Sequence, residues 1–175
     1  VIETPPRLAT VQHIIGFQRR LVASGAFTDP RSHIYYLPEL YCAYFGRCYA
    51  AFIGLPPAAR RAIDPDGALD FIRGRVLAYV QGELIVAEMN VFDAALALIA
   101  LGHLGADAAT FTPALACIIG HLGEGGRRGP FKAYEWNKMK TPTRILVGGP
   151  EVTSAFVLMG LALARTTMMA GRGRS

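Results

Sequence analysis

Three acidic residues, Glu39, Asp93 and Glu151, each stand at the start of a long apolar stretch. The stretches are "LPELYCAYFGRCYAAFIGLP" (37–56), "NVFDAALALIALGHLGAD" (90–107) and "GGPEVTSAFVLMGLALAR" (148–165). A carboxyl whose pKa is raised by burial can serve as a general acid, and an aromatic ring beside it can stabilise a developing cation. The same acids also suit the positive end of a helix dipole with no chemistry involved. Their spacing, about 55 residues in both intervals, points to stacked helical hairpins.

The elements that would position them alternate between two kinds of helix. "TVQHIIGFQRRLVASG" sets Val11, Ile14, Ile15, Leu21 and Val22 against Gln12, His13, Arg19 and Arg20, the one-sided pattern of a helix with a wet face. "DPDGALDFIRGRVLAYVQGEL" opposes Leu69, Ile72, Val76 and Val80 to Asp70, Arg73 and Arg75, with Asp64 or Asp66 placed to cap its start. "TPALACIIGHLGEGG" is a third such segment, opened by Thr112 and Pro113. These read as outer helices. The three stretches behind the acids are apolar on nearly every face and read as inner helices, near 38–54, 91–104 and 151–165. Glycine- and proline-rich segments, including "GLPPAARRAIDPDG" and the long 123–150 segment, read as loops. "IIGFQRRLVASGAF" and "IIGHLGEGGRRGPF" also repeat an Ile-Ile-Gly opening and a Phe ending. No segment favours strands, so the chain is expected to be all-α, with about six helices in three hairpins.

Composition bounds what such a fold can be. The chain has 175 residues, is 52% hydrophobic and has a mean hydropathy of +0.30. The uninterrupted apolar runs at 94–102 and 155–164 are shorter than the ~18–20 residues that span a bilayer. A cytoplasmic location is expected, with peripheral membrane contact left open. No charged segment followed by an apolar run and cleavage site stands at the amino end, and the chain starts at Val1, as a processed or partial chain would. Net charge is +5, and Arg127, Arg128, Lys132, Lys138, Lys140 and Arg144 cluster in one segment. Such a patch can meet a phosphate, an anionic membrane or nucleic acid, or can be a solvated loop. Cys42, Cys48 and Cys117 form neither an even framework nor a Cys-x-x-Cys pair and read as small buried hydrophobes in a reducing compartment. None of His13, His33, His103 and His121 has a histidine at ligand spacing on a helix, so no metal and no cofactor is expected. A nucleotide-binding loop and a Gly-x-Ser-x-Gly nucleophile are absent as well.

Gln18 through Gly25 to Phe27, then Gly129-Pro130-Phe131 with Trp136 before "GGPEVTSAFVLMGLAL", resemble the glutamine-tryptophan repeats and acid-x-Thr-x-Ala junctions of the terpenoid cyclase and protein prenyltransferase superfamily. That resemblance implies an α/α-toroid-like array of inner and outer helices. The departures are specific. "DPDG" at 64–67 lacks the last aspartate of the Asp-x-Asp-Asp protonation motif, and Glu39-Leu40-Tyr41-Cys42 has the wrong spacing for the zinc-binding Asp-x-Cys pair. Full toroids of that superfamily carry about twice as many helices. Residues 1–175 would thus be a single helical-repeat domain, either part of a larger toroid such as its C-terminal half, or one of two copies that close a ring.

In toroids of this kind the cavity opens at the starts of the inner helices, which implies a site. Asp93, Glu39 and Glu151 are its candidate catalytic residues. Tyr35, Tyr36, Tyr134, Trp136, Asn137, Arg127, Arg128 and Lys132 are its candidate ligand-binding residues, the bases holding phosphates and the aromatics an isoprenoid chain. The expected partner is an isoprenoid or other apolar small molecule rather than nucleic acid, with a second copy of the chain or the rest of a toroid beside it. A non-catalytic scaffold that pairs through its apolar face is the alternative.

Overall fold

A helix with no polar face must be surrounded, and the segment 91–104 has that character. It forms α5, Val91–Leu104, buried along almost its whole length. The computed structural model describes residues 7–28, 38–85, 89–122, 134–136, 145–147 and 150–172, with only the backbone described for 134–136, 145–147 and 170–172. Two elements start and stop α5. The Asn90 side chain accepts a hydrogen bond from the Asp93 backbone N–H at 2.9 Å and donates one to the Asp93 carboxylate at 2.7 Å. At the other end Gly105 takes the left-handed conformation, φ 68°, open to glycine at no steric cost. The cap of α5 is thus Asn90, and Asp93 sits one turn inside.

On either side of α5 lie α2, Pro38–Ile53, and α7, Pro150–Arg172. Their contacts climb in step. Ala43 clusters with Phe92 and Leu96, whereas Gly46 lies against Ala100 and His103. Phe92 meets Phe156 edge-on at 5.4 Å between ring centres, Gly160 faces Ala95 and Leu98, and Gly102 faces Leu163. Rising numbers on both partners mean that α2, α5 and α7 run parallel. Their acidic starts therefore share one end of the layer.

Parallel neighbours require return segments, and the amphipathic helices supply them. These are α1 (Leu8–Ala23), α4 (Ala68–Tyr79) and α6 (Thr112–Leu122). Tyr49 of α2 donates a hydrogen bond to Asp70 at 2.5 Å, and Tyr79 reaches back toward Glu39, so α4 is antiparallel to α2. Cys117 of α6 donates to the Met89 carbonyl at 3.2 Å, beside the start of α5. α1 lies along α4, with the Arg19 guanidinium 5.6 Å from the centre of the Phe71 ring. The outer segments read from the sequence face the core as their patterns indicate: Ile72, Val76 and Val80 are buried and Asp70 and Arg75 exposed. Asp64 caps α4, accepting from the Ala68 and Leu69 N–H groups at 2.8 Å each. The fold is all-α. Its only extended pairing among the described residues is β1 (Tyr134–Trp136) with β2 (Ile145–Val147), antiparallel, inside the long 123–150 segment.

Four details depart from the sequence reading. The proline-rich 54–67 segment contains a short helix, α3, Pro57–Ile63, because Pro57 fits a first helical turn and Ala58, Ala59, Arg60 and Arg61 are good helix formers. Ile14 is exposed, since α1 has few neighbours beyond α4 and α3. Cys48 is exposed on α2, because its side of that helix points away from α4 and α5. Finally α7 continues well past residue 165. Its Pro150–Met169 portion has a mean hydropathy of 1.4 and is long and apolar enough to cross a membrane, the one such helix among the described residues. The shorter apolar run that the sequence shows is extended by uncharged residues from Val152 to Ser154 before it and, past Arg165, from Thr166 to Met169 after it.

Candidate functional site

The start of the layer holds two of the sequence-derived acids close together. Glu39, in the first turn of α2, is only 4% exposed, and Asp93 is partly buried in the first turn of α5. Both act on the Tyr79 phenol at the end of α4. Burial, and then the charges of Glu39, Cys42, Glu83 and Asp93, push that phenol well above its ordinary range. Glu83 belongs to a single π-helical turn, Val80–Leu84, that extends α4. Burial, and then Glu39, push the Cys42 thiol up as well, and burial pushes up Tyr41. These groups stay protonated at neutral pH, so Cys42 is an inert thiol rather than a nucleophile. Around them runs an aromatic file in which Phe27 meets Tyr79 and Tyr41, and Tyr41 stacks on Phe45. The acids thus face the interior between the inner and outer helices.

Glu151 is exposed on the first turn of α7, and α5 stands between α7 and α2. Tyr35, Tyr36, Asn137, Arg127, Arg128 and Lys132 lie outside the described residues. Tyr134 and Trp136 are on β1, where only the backbone is described.

The opposite face of the layer, turned away from α1, α4 and α6, carries a feature that sequence reasoning missed. A groove of about 500 Å³ runs across α2, α5 and α7, a volume typical of small-molecule sites. Its floor is a small apolar cluster of Ala43, Phe92, Leu96 and Ile99, distinct from the main core and joined by Phe156 and Leu163. Ala43, Ile99, Phe156, Met159, Ala162 and Leu163 give it apolar walls. The remaining lining residues are Tyr44, Arg47, His103 and Thr166. Arg47, His103 and Thr166 are each the most C-terminal lining residue on their helix. In a parallel layer this places all three at one end of the groove. Glu39, Asp93 and Glu151 are not among the lining residues.

Glycines make the groove possible. A Cβ at Gly160 would stand 2.9 Å from the Ala95 carbonyl oxygen, one at Gly102 3.0 Å from the Leu163 Cβ, and one at Gly46 3.3 Å from the Ala100 carbonyl oxygen. Without side chains at these points the three helices approach backbone to backbone and leave a shallow trough above them. Glycine in the middle of apolar helices costs helix propensity and was the signal in the sequence for this close approach.

At the polar end, burial and then the neighbouring Arg47 charge lower the pKa of His103, so its imidazole is neutral at neutral pH. The Thr166 hydroxyl donates to the Ala162 carbonyl at 3.0 Å, which leaves its oxygen lone pairs toward other donors. Arg47 is exposed and makes no ion pair with any described residue. No group of three or more potential metal ligands occurs among the described residues. Compared with family models, with curated proteins and with solved structures, the chain finds no match in any of the three.

Proposed function

We propose that this chain is a helical-repeat domain of the terpenoid-cyclase type that binds an isoprenoid-type apolar ligand in the groove across α2, α5 and α7. The observation that carries the reading is the groove itself: an apolar trough with an aromatic wall, Phe156, lying on a face of α2, α5 and α7 that no outer helix among the described residues lines. In a toroid that face would line the central cavity. Burial of an isoprenoid chain there is favourable by about 25 cal/mol per Å² of apolar surface removed from water. Glu39 and Asp93 lie by Tyr79 and Glu151 is exposed outside the groove lining, so the groove is read as a binding site with no catalytic role assigned to Glu39, Asp93 or Glu151.

A fluorescent prenyl alcohol titrated against the chain tests this. Binding to the wild type should be saturable. Ala162→Phe places a ring in the trough from an exposed helix position and should weaken binding by about tenfold or more, equivalent to about 1.4 kcal/mol, with the circular dichroism spectrum unchanged. Equal affinity in wild type and variant would sink the reading. The scaffold alternative draws on Leu158 and Met169, which are 68% and 62% exposed on α7. A chain that sediments as a stable dimer and binds no prenyl probe would favour it.

A further inference from the structure

The groove has a direction, and we infer that it selects an apolar chain ending in a single carboxylate, held at the Arg47–His103 end. This rests on the groove being a ligand site and adds the chemistry of the ligand's head. Four observations lead to it. The lining changes from Ala43, Ile99, Phe156 and Met159 at one end to Arg47, His103 and Thr166 at the other. The three polar residues come from three different helices, so the polar end is a product of the packing and not of one local sequence.

Next, no described residue forms an ion pair with the cation at that end. Arg47 has no carboxylate partner among the described residues, whereas Arg73, on the outer side of α5, is engaged by the main chain. Its Nε and Nη2 donate to the Leu104 carbonyl at 2.9 and 2.6 Å. Arg73 thereby offsets the negative end of the α5 dipole just below the groove, which lowers the penalty for bringing an anion to that end.

The amount of charge decides between heads. With His103 neutral, Arg47 supplies one positive charge together with a planar fork of donors that matches the two oxygens of a carboxylate. The imidazole adds one N–H donor. A carboxylate is matched in charge and shape. A diphosphate brings more negative charge than the described residues of the groove balance, and it would sit beside the C-terminal turn of α5. An alcohol leaves the guanidinium without a counter-charge.

The test compares three probes sharing one prenyl chain, the acid, the alcohol and the diphosphate, by competition against a fluorescent prenyl analogue on the full chain. The acid should bind about tenfold or more tightly than the alcohol, with the diphosphate weaker than the acid. In Arg47→Gln the advantage of the acid should disappear while the affinity for the alcohol stays within about twofold. His103→Gln, which keeps an N–H donor, should retain most of it. Arg47 is exposed and has no ion-pair partner among the described residues, so its replacement should leave the fold intact, and circular dichroism checks this. Equal binding of acid and alcohol by the wild type overturns the head assignment and leaves the groove reading standing. So does an acid preference that survives Arg47→Gln. A diphosphate that outcompetes the acid overturns the single-charge argument. Failure of all three probes overturns the groove reading itself.

Discussion

Phe111→Ala should lower the free energy of unfolding by about 3–5 kcal/mol, the range for truncating a fully buried aromatic ring. Phe111 is the largest of the side chains with no measurable exposure. It stands in the short 3-10 turn, Ala108–Phe111, between α5 and α6, and that turn packs against α5, α6 and α7 together. Removing the ring opens a void shared by three helices, none of which can close it without leaving the others. The change is large beside the ~5–15 kcal/mol that holds a typical domain folded. It should lower the thermal midpoint by roughly 6–20 °C, read by far-ultraviolet circular dichroism. A loss under about 1 kcal/mol would show that the turn is not part of the common core.

The second large effect concerns the close approach of α7 to α5. Gly160→Leu forces a branched side chain into a position where even a Cβ would lie 2.9 Å from the Ala95 carbonyl oxygen and 3.1 Å from the Leu98 Cβ. The first obstacle is main chain and cannot rotate away. Either α7 moves off α5, exposing Val157 and Ala164, or α5 bends. Overpacking of this sort costs about 1–3 kcal/mol, and the change should also abolish the groove, since Phe156, Met159, Ala162 and Leu163 all ride on α7. Gly160→Ala should lose less, because the gain of about 1 kcal/mol in helix propensity offsets part of the clash. Urea unfolding together with prenyl-probe binding distinguishes the cases. Full binding and full stability in the leucine variant would contradict the packing described.

The inner helices were legible because their signal is local. Asn90 and Gly105 bracket α5, whose unbroken apolar composition marks it as surrounded, but the same composition misled for the other two: α7 is only 22% buried over Pro150–Met169, and α2 exposes Tyr44, Arg47 and Cys48. The amphipathic pattern of Ile72, Val76 and Val80 likewise placed α4 on the outside. α3 escaped notice because Gly54, Pro56, Pro57, Pro65 and Gly67 crowd around its five good helix formers, residues 58–62. The convergence of Glu39 and Asp93 follows from parallel packing, which the repeat spacing indicated. What spacing could not tell was which face of each helix the acids would take. Glu39 and Asp93 lie near enough to Tyr79 for their charges to act on it, and the groove formed on the other face from residues with no motif in common. Arg47, His103 and Thr166 are far apart in the chain and meet only because three helices share one register.

That α5 is packed between neighbours everywhere but along its groove-facing strip also determines which part of the chain opens last. Its peptide N–H groups are bonded within the helix, and its side chains stand between α2 and α7 and pack against α4 and α6. No fraying of one neighbour uncovers it. Deuterium from solvent should therefore reach its amides only through global unfolding, while those of α1, which touches little beyond α3 and α4, should exchange by local opening. The middle helix is the clock against which every looser motion of the array can be timed.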